Sequence, residues 1–138
     1  MIPLFINPVK AGFPSPANDY IESDLDFNAY LIKNKPATFA LKAQGDSMIN
    51  AGIFPGDILI TDRSITAKSN DIIIASLDKE FTVKRFIKNS TGLFLYPENR
   101  DFPIIEITNS SDFQIWGVVT YTIHSFLGHK NAPSTNRL

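Results

Sequence analysis

From Pro36 onward the chain is cut into short β-rich runs by turn signals, and this punctuation constrains its fold more than any other feature. Phe39 and Leu41 alternate with Thr38, Ala40 and Lys42. Then follow Ile58-Leu59-Ile60, Ile72-Ile73-Ile74, Phe81-Thr82-Val83, Leu93-Phe94-Leu95-Tyr96, Ile104-Ile105-Glu106-Ile107 and the long run Phe113 to Ile123. Between them stand Pro55-Gly56-Asp57, Ser69-Asn70-Asp71, Asp78-Lys79, Thr91-Gly92 and Pro97-Glu98-Asn99. Runs this short cannot bury a helical stripe, but each suits a strand. The expected fold is mostly β, a β-sandwich or a partly open barrel. The 11 phenylalanines are expected mainly in its core.

Before Pro36 the pattern differs. Pro3, Pro8, Pro14 and Pro16 remove backbone donors and force extended geometry, so residues 1–17 read as an extended N-terminal arm outside the core. Asp26 is placed to cap a short helix over about 27–33, ended before Pro36, which makes Asp24-Leu25-Asp26 a helix start rather than a ligand pair. Residues 18–127 then form the β-domain, and the polar stretch 128–138 is expected to fray.

A chain of 138 residues is about one domain. Its net charge of −1 argues against a protein built to grip nucleic acid phosphates. The absence of cysteine excludes a Cys nucleophile, a Cys-ligated zinc or iron–sulfur site and a disulfide scaffold. The acidic residues are scattered and no Gly-rich phosphate loop occurs, so no metal and no cofactor are expected. The apolar runs fall far short of the ~20 residues of a membrane helix. Met1 to Ile6 lacks a basic flank and is soon broken by Pro8, unlike a signal peptide. The chain therefore reads as cytoplasmic, with no membrane association.

Candidate chemistry centres on two residues. In Gln44-Gly45-Asp46-Ser47-Met48, Gly45 permits a sharp turn out of a strand, and Ser47 lies where backbone N–H groups point outward and could hold an oxyanion. The plain alternative is that Asp46 or Ser47 merely caps a helical turn. A serine nucleophile needs a base. The histidines are only His124, late in a strand-like run and most simply an ordinary strand residue, and His129 in the polar tail; no G-x-S-x-G elbow occurs. A lysine serves if an apolar setting disfavours its ammonium. Lys84 sits within Phe81-Thr82-Val83-Lys84-Arg85-Phe86-Ile87, where alternation puts Thr82, Lys84 and Phe86 on one face. Arg85 cannot deprotonate. The plain alternative for Lys84 is a lysine snorkelling from an edge strand.

Taken together, Gly45-Asp46-Ser47-Met48, Gly56-Asp57-Ile58-Leu59-Ile60, Asp71 to Ala75 and Glu80-Phe81-Thr82-Val83-Lys84-Arg85 resemble, in order and spacing, the LexA/UmuD family of self-cleaving serine peptidases. Gly12-Phe13-Pro14-Ser15-Pro16-Ala17 with Asp19-Tyr20 is similar to the stretch after the cleavage point in UmuD-type members. Pro97-Glu98-Asn99 and Ile115-Trp116-Gly117-Val118-Val119 also sit where the family has related motifs. The resemblance spans residues 11–125. It implies a LexA/signal-peptidase-like β fold, with Ser47 as nucleophile, Lys84 as general base and Ala11–Gly12 as the bond cut. Ser47 and Met48 N–H groups would face the oxyanion. Ala11 departs from the Cys of the best-known UmuD, conservatively.

The resemblance further implies a homodimer, stimulation by a RecA filament on single-stranded DNA, and service to a UmuC-type Y-family polymerase in SOS mutagenesis and translesion synthesis, with the polymerase sliding clamp as a further partner. The run Phe113 to Ile123 is the candidate dimer surface. Residues 1–11 leave no room for the helix-turn-helix domain of a LexA repressor, so sequence-specific DNA binding is not expected. Two rival readings keep the fold: a peptidase acting on other proteins, and a non-catalytic interaction module.

Overall fold

The computed structural model describes residues 1–5, 9, 11–12 and 21–128, with only the backbone of Phe5, Ile21 and Glu22. It divides into two compact units, Met1–Lys33 and Asn34–Leu138. The expectations for Phe13 to Tyr20, His129 and the tail from 129 onward lie outside the described residues.

In the first unit, β1 (Ile2–Phe5) pairs antiparallel with β2 (Ile21–Leu25), with Ile2 opposite Leu25 and Leu4 opposite Ser23. Residues 2–5 are thus extended and paired. Among the described residues each strand of this two-stranded sheet has one open edge, the setting in which a strand proline such as Pro3 is tolerated. Helix α1 (Phe27–Leu31) follows, capped by Asp26 Oδ1, which accepts from the Asn28 and Ala29 N–H groups. It ends earlier than the apolar pattern suggests, because Ile32 is already extended.

The second unit is one seven-stranded sheet, antiparallel at every pairing. Its strands are β3 (Thr38–Lys42), β4 (Ile58–Asp62), β5 (Ile72–Leu77), β6 (Glu80–Asn89), β7 (Gly92–Tyr96), β8 (Ile105–Ile107) and β9 (Phe113–Ile123). Their order is β3-β4-β9-β5-β6-β7-β8. The strand runs of the sequence are all present. Among the described residues β3 and β8 are edges, so the sheet stays open rather than closing into a barrel. Asp78 and Lys79 both take positive φ, the conformation a two-residue hairpin needs to match strand twist, and they join β5 to β6 with Leu77 opposite Glu80.

β9 binds the sheet together. Its first half, Phe113 to Val118, pairs with β5, and its second half, Val118 to Ile123, pairs with β4. Gly117 sits at the crossover, where a Cβ would lie 2.7 Å from Thr61 Cγ2 and 3.1 Å from the Asp62 carbonyl oxygen. Only glycine lets the strands approach this closely.

Strand alternation sends neighbouring residues into two apolar clusters. Ile74 joins Ala43, Met48, Ile53 and Leu59, whereas Ile73 joins Ala75, Phe86, Leu95 and Val118. This is why Ile72-Ile73-Ile74 is an unbroken apolar run: β5 is covered on both faces. The phenylalanines depart from expectation. Phe86 is buried, but Phe27, Phe54, Phe81, Phe102 and Phe126 are all exposed. Several lie at strand ends and loops, beyond the reach of either cluster.

Candidate active site

The site forms where β3 runs out and β6 begins. Gly45 takes φ +78° after β3 and turns the chain across the sheet. Met48, 2% exposed, plugs the next stretch into the first apolar cluster beside Ala43, Ile53 and Leu59. A short 3-10 turn (Ile49–Ala51) follows and closes at Gly52, again with positive φ. Neither Asp46 nor Ser47 caps this turn; its N-cap is Met48, without a side-chain bond. That removes the plain capping reading of Ser47.

Lys84 approaches from β6. β6 pairs with β5 along Glu80 to Arg85, but with β7 only from Arg85 onward. Among the described residues, Phe81 to Lys84 therefore has one side without a strand partner. Lys84 Nζ lies 3.0 Å from Ser47 Oγ, although the two residues are 37 positions apart. It also lies 3.0 Å from Thr82 Oγ1 and 3.1 Å from the Val83 carbonyl oxygen. A neutral amine has two N–H donors and one lone pair. With Thr82 Oγ1 and Val83 O taking the donors, the lone pair is left for the Ser47 hydroxyl.

The surroundings favour that neutral form. Leu41, Ala43, Leu59, Ile74, Phe81 and Val83 line the cleft around the pair, whose volume is about 250 Å³. Half-burial among these groups pushes the Lys84 amine below the ordinary lysine value, by desolvation of the ammonium. Lys84 is not an edge lysine with its head in open water. Phe81, which lines the cleft, packs on Trp116 with centroids 5.4 Å apart, and the Arg63 guanidinium covers the Trp116 ring.

The nucleophile loop is also held from behind, by the turn leaving β7. The Glu98 N–H donates to Ser47 O at 2.8 Å, the Asn50 N–H donates to Glu98 O at 2.9 Å, and Asn99 Nδ2 donates to Asp46 O at 2.9 Å. The Glu98 carboxylate accepts from Arg85 Nε.

His124 lies elsewhere and is not idle. It stands just past the end of β9, its Nδ1 2.6 Å from the buried Asp57 Oδ1. Asp57 Oδ2 accepts from the Phe54 N–H and from Thr122 Oγ1. The pair ties the loop before β4 to the end of β9. Ser47 has the lysine at its side. Ala11 and Gly12 belong to the first unit, in an exposed bend.

An open antiparallel β-domain with a serine hydroxyl against a desolvated lysine is the arrangement of a serine peptidase of the LexA/UmuD type, and the chain belongs to that class: residues 3–120 match the Peptidase S24-like family. Within the family it is a UmuD-type member. It is 40% identical to protein MucA of Salmonella typhimurium over 129 residues, 93% of this chain and 86% of the relative. It is 45% identical to protein ImpA of Shigella flexneri over 122 residues, 88% of this chain and 83% of the relative. It is 39% identical to the LexA repressor of Leptothrix cholodnii over 118 residues, which is 85% of this chain but 51% of that repressor.

Sequence reasoning missed four contributors. Thr82 was placed on the lysine's face but given no role, and Val83 contributes only its carbonyl. Glu98 and Asn99 were noted as a family motif, with nothing along the chain to show that they meet the Ser47 loop.

Proposed function

We propose that this protein cuts its own Ala11–Gly12 bond, with Ser47 as nucleophile and Lys84 as general base. The observation that carries the reading is the 3.0 Å approach of Lys84 Nζ to Ser47 Oγ in an apolar cleft. Lys84 takes the Ser47 proton as the oxygen attacks the Ala11 carbonyl carbon. The tetrahedral intermediate carries its negative charge on the former carbonyl oxygen. The Ser47 and Met48 N–H groups face this charge; among the described residues, neither donates to a protein acceptor. Collapse breaks the Ala11–Gly12 bond as Lys84 hands its proton to the Gly12 amine. Water, deprotonated by Lys84, then releases Ala11 from Ser47.

The cleft suits an extended peptide. Among the described residues, β3 is an edge strand and Phe81 to Lys84 lacks a strand partner on one side, so a docked segment finds backbone groups to pair with.

The likeness to UmuD-type relatives supports the wider setting. A RecA filament on single-stranded DNA stimulates the cut by favouring the docked arm, and loss of residues 1–11 yields the form that serves a UmuC-type Y-family polymerase in SOS mutagenesis, alongside the sliding clamp. The protein works in the cytoplasm, as a homodimer. Ile123, at the end of β9, is exposed, which supports an isologous contact there.

The test is alkaline incubation of the wild type, Ser47→Ala and Lys84→Ala, followed by intact-mass measurement. The wild type loses a fragment matching residues 1–11 and both variants stay whole. Cleavage of added peptides with the arm intact points instead to a peptidase acting on other proteins, and an unchanged wild type at pH 10 to a non-catalytic module.

A further inference from the structure

We propose that Glu98 and Asn99 are positioning residues for Ser47, acting as a strap that sets the hydroxyl against the lysine; this rests on the Ser47–Lys84 reading above. Neither residue lines the cleft. Each instead holds the chain that carries the nucleophile.

Between Gly45 and Met48 the loop does little to hold itself. Its own backbone bonds begin with Ile49 N–H to Asp46 O at 3.4 Å and become regular only beyond Met48. Gly45 and Gly52, both at positive φ, make natural swivels at its two ends. Met48 anchors one side in the apolar cluster. The other side is gripped at Asp46, Ser47 and Asn50, all three by the turn after β7. The same turn reaches the lysine's strand: Glu98 accepts from Arg85, the residue after Lys84, and Arg85 Nη1 also donates to Asn70 O. The strap therefore links nucleophile loop and base strand through one turn. A shift of about 1 Å between reacting groups costs on the order of 100-fold in rate, so this linkage bears directly on chemistry.

Asn99 permits a near-isosteric test. Its Oδ1 accepts from the Asp101 N–H at 3.1 Å while its Nδ2 donates to Asp46 O. Asn99→Asp keeps the first bond and turns the second into oxygen facing oxygen. For Glu98, Glu98→Gln keeps an acceptor for Arg85, and Glu98→Ala removes it.

The first-order self-cleavage rate is measured from pH 7 to 10.5, with a thermal melt of each variant. The plateau rate of Asn99→Asp and Glu98→Ala falls about 10- to 100-fold. The pH midpoint stays put, because the burial of Lys84 is untouched, and Glu98→Gln recovers most of the rate. Rates within twofold of wild type overturn the proposal. So does a loss expressed as a shifted midpoint, which would mean an electrostatic effect on the lysine, or a loss seen only near the melting temperature. A readout free of cleavage uses the Ser47→Ala background: amide exchange at Asn50, whose N–H donates to Glu98 O, speeds up at least about tenfold in Asn99→Asp, and unchanged protection overturns the strap. If the wild type does not cleave, the Ser47–Lys84 reading fails by itself; if it cleaves and Asn99→Asp matches it, only the strap fails.

Discussion

Met48 is where packing and chemistry meet, and Met48→Ala exposes the link. The side chain is 2% exposed and fills the first cluster among Ala43, Ile53, Leu59 and Ile74, one residue after Ser47. Truncation removes three buried heavy atoms, a transfer loss of about 2.4 kcal/mol at ~0.8 kcal/mol per methylene-sized group. A remaining cavity adds about 1 kcal/mol for each ~40 Å³ left unfilled. Ala43 and Leu59 also line the cleft, so the wall can settle inward and limit that second loss. The sum is about 3 kcal/mol. Urea unfolding in the Ser47→Ala background, where the chain stays whole, measures it. Met48→Leu conserves volume and costs less than about 1.5 kcal/mol. With Ser47 restored, self-cleavage well below the unfolding midpoint is slower in Met48→Ala than in Met48→Leu. A loss under 1 kcal/mol for Met48→Ala, or cleavage at the wild-type rate, refutes the view that this side chain anchors the nucleophile.

Three further outcomes follow from the same structure. Gly117→Ala drives a Cβ to within 2.7 Å of the Thr61 methyl and lowers stability by about 1–3 kcal/mol; Thr61→Ser restores part of it, and an unchanged melting temperature contradicts the close approach. Asp57→Ala orphans the Phe54 N–H and releases Thr122 and His124, at about 2–3 kcal/mol in the same unfolding assay; Asp57→Asn loses less, and equal losses would mean the carboxylate's acceptor geometry is immaterial. For Lys84, folding lowers the amine pKa, so between its folded value and the unfolded ~10.4 the unfolded chain binds more protons and stability rises with pH. The wild type should therefore gain stability relative to Lys84→Met as pH climbs through that window; a constant difference from pH 6 to 10.5 speaks against desolvation.

The strands were readable because each carries its own signal: period-two apolar runs closed by Gly, Pro, Asn and Asp turns. Lys84 stood out for the same reason, as a lysine inside a β run. Ser47 was readable only as a serine after a glycine turn, and its capping alternative fell once Met48 proved to be the N-cap. What the sequence hid is long-range. Asn99 meets Asp46 across 53 positions and His124 meets Asp57 across 67, and local periodicity says nothing about such meetings. The splitting of β9 between β4 and β5 was hidden too, since strand order depends on closure of the whole sheet. The prolines masked the pairing of Ile2–Phe5, because they are tolerated wherever a strand has an open edge.

The central claim, that a desolvated neutral lysine activates Ser47, is tested most directly by the pH dependence of the self-cleavage rate in the wild type and in Lys84→Arg. The neutral fraction of an amine rises tenfold per pH unit below its pKa, so the wild-type rate climbs with unit logarithmic slope and levels off below the ~10.4 of a free lysine, while the permanently charged Lys84→Arg stays inactive throughout. A wild-type rate that ignores pH, or a Lys84→Arg variant that cleaves at a comparable rate, contradicts the account.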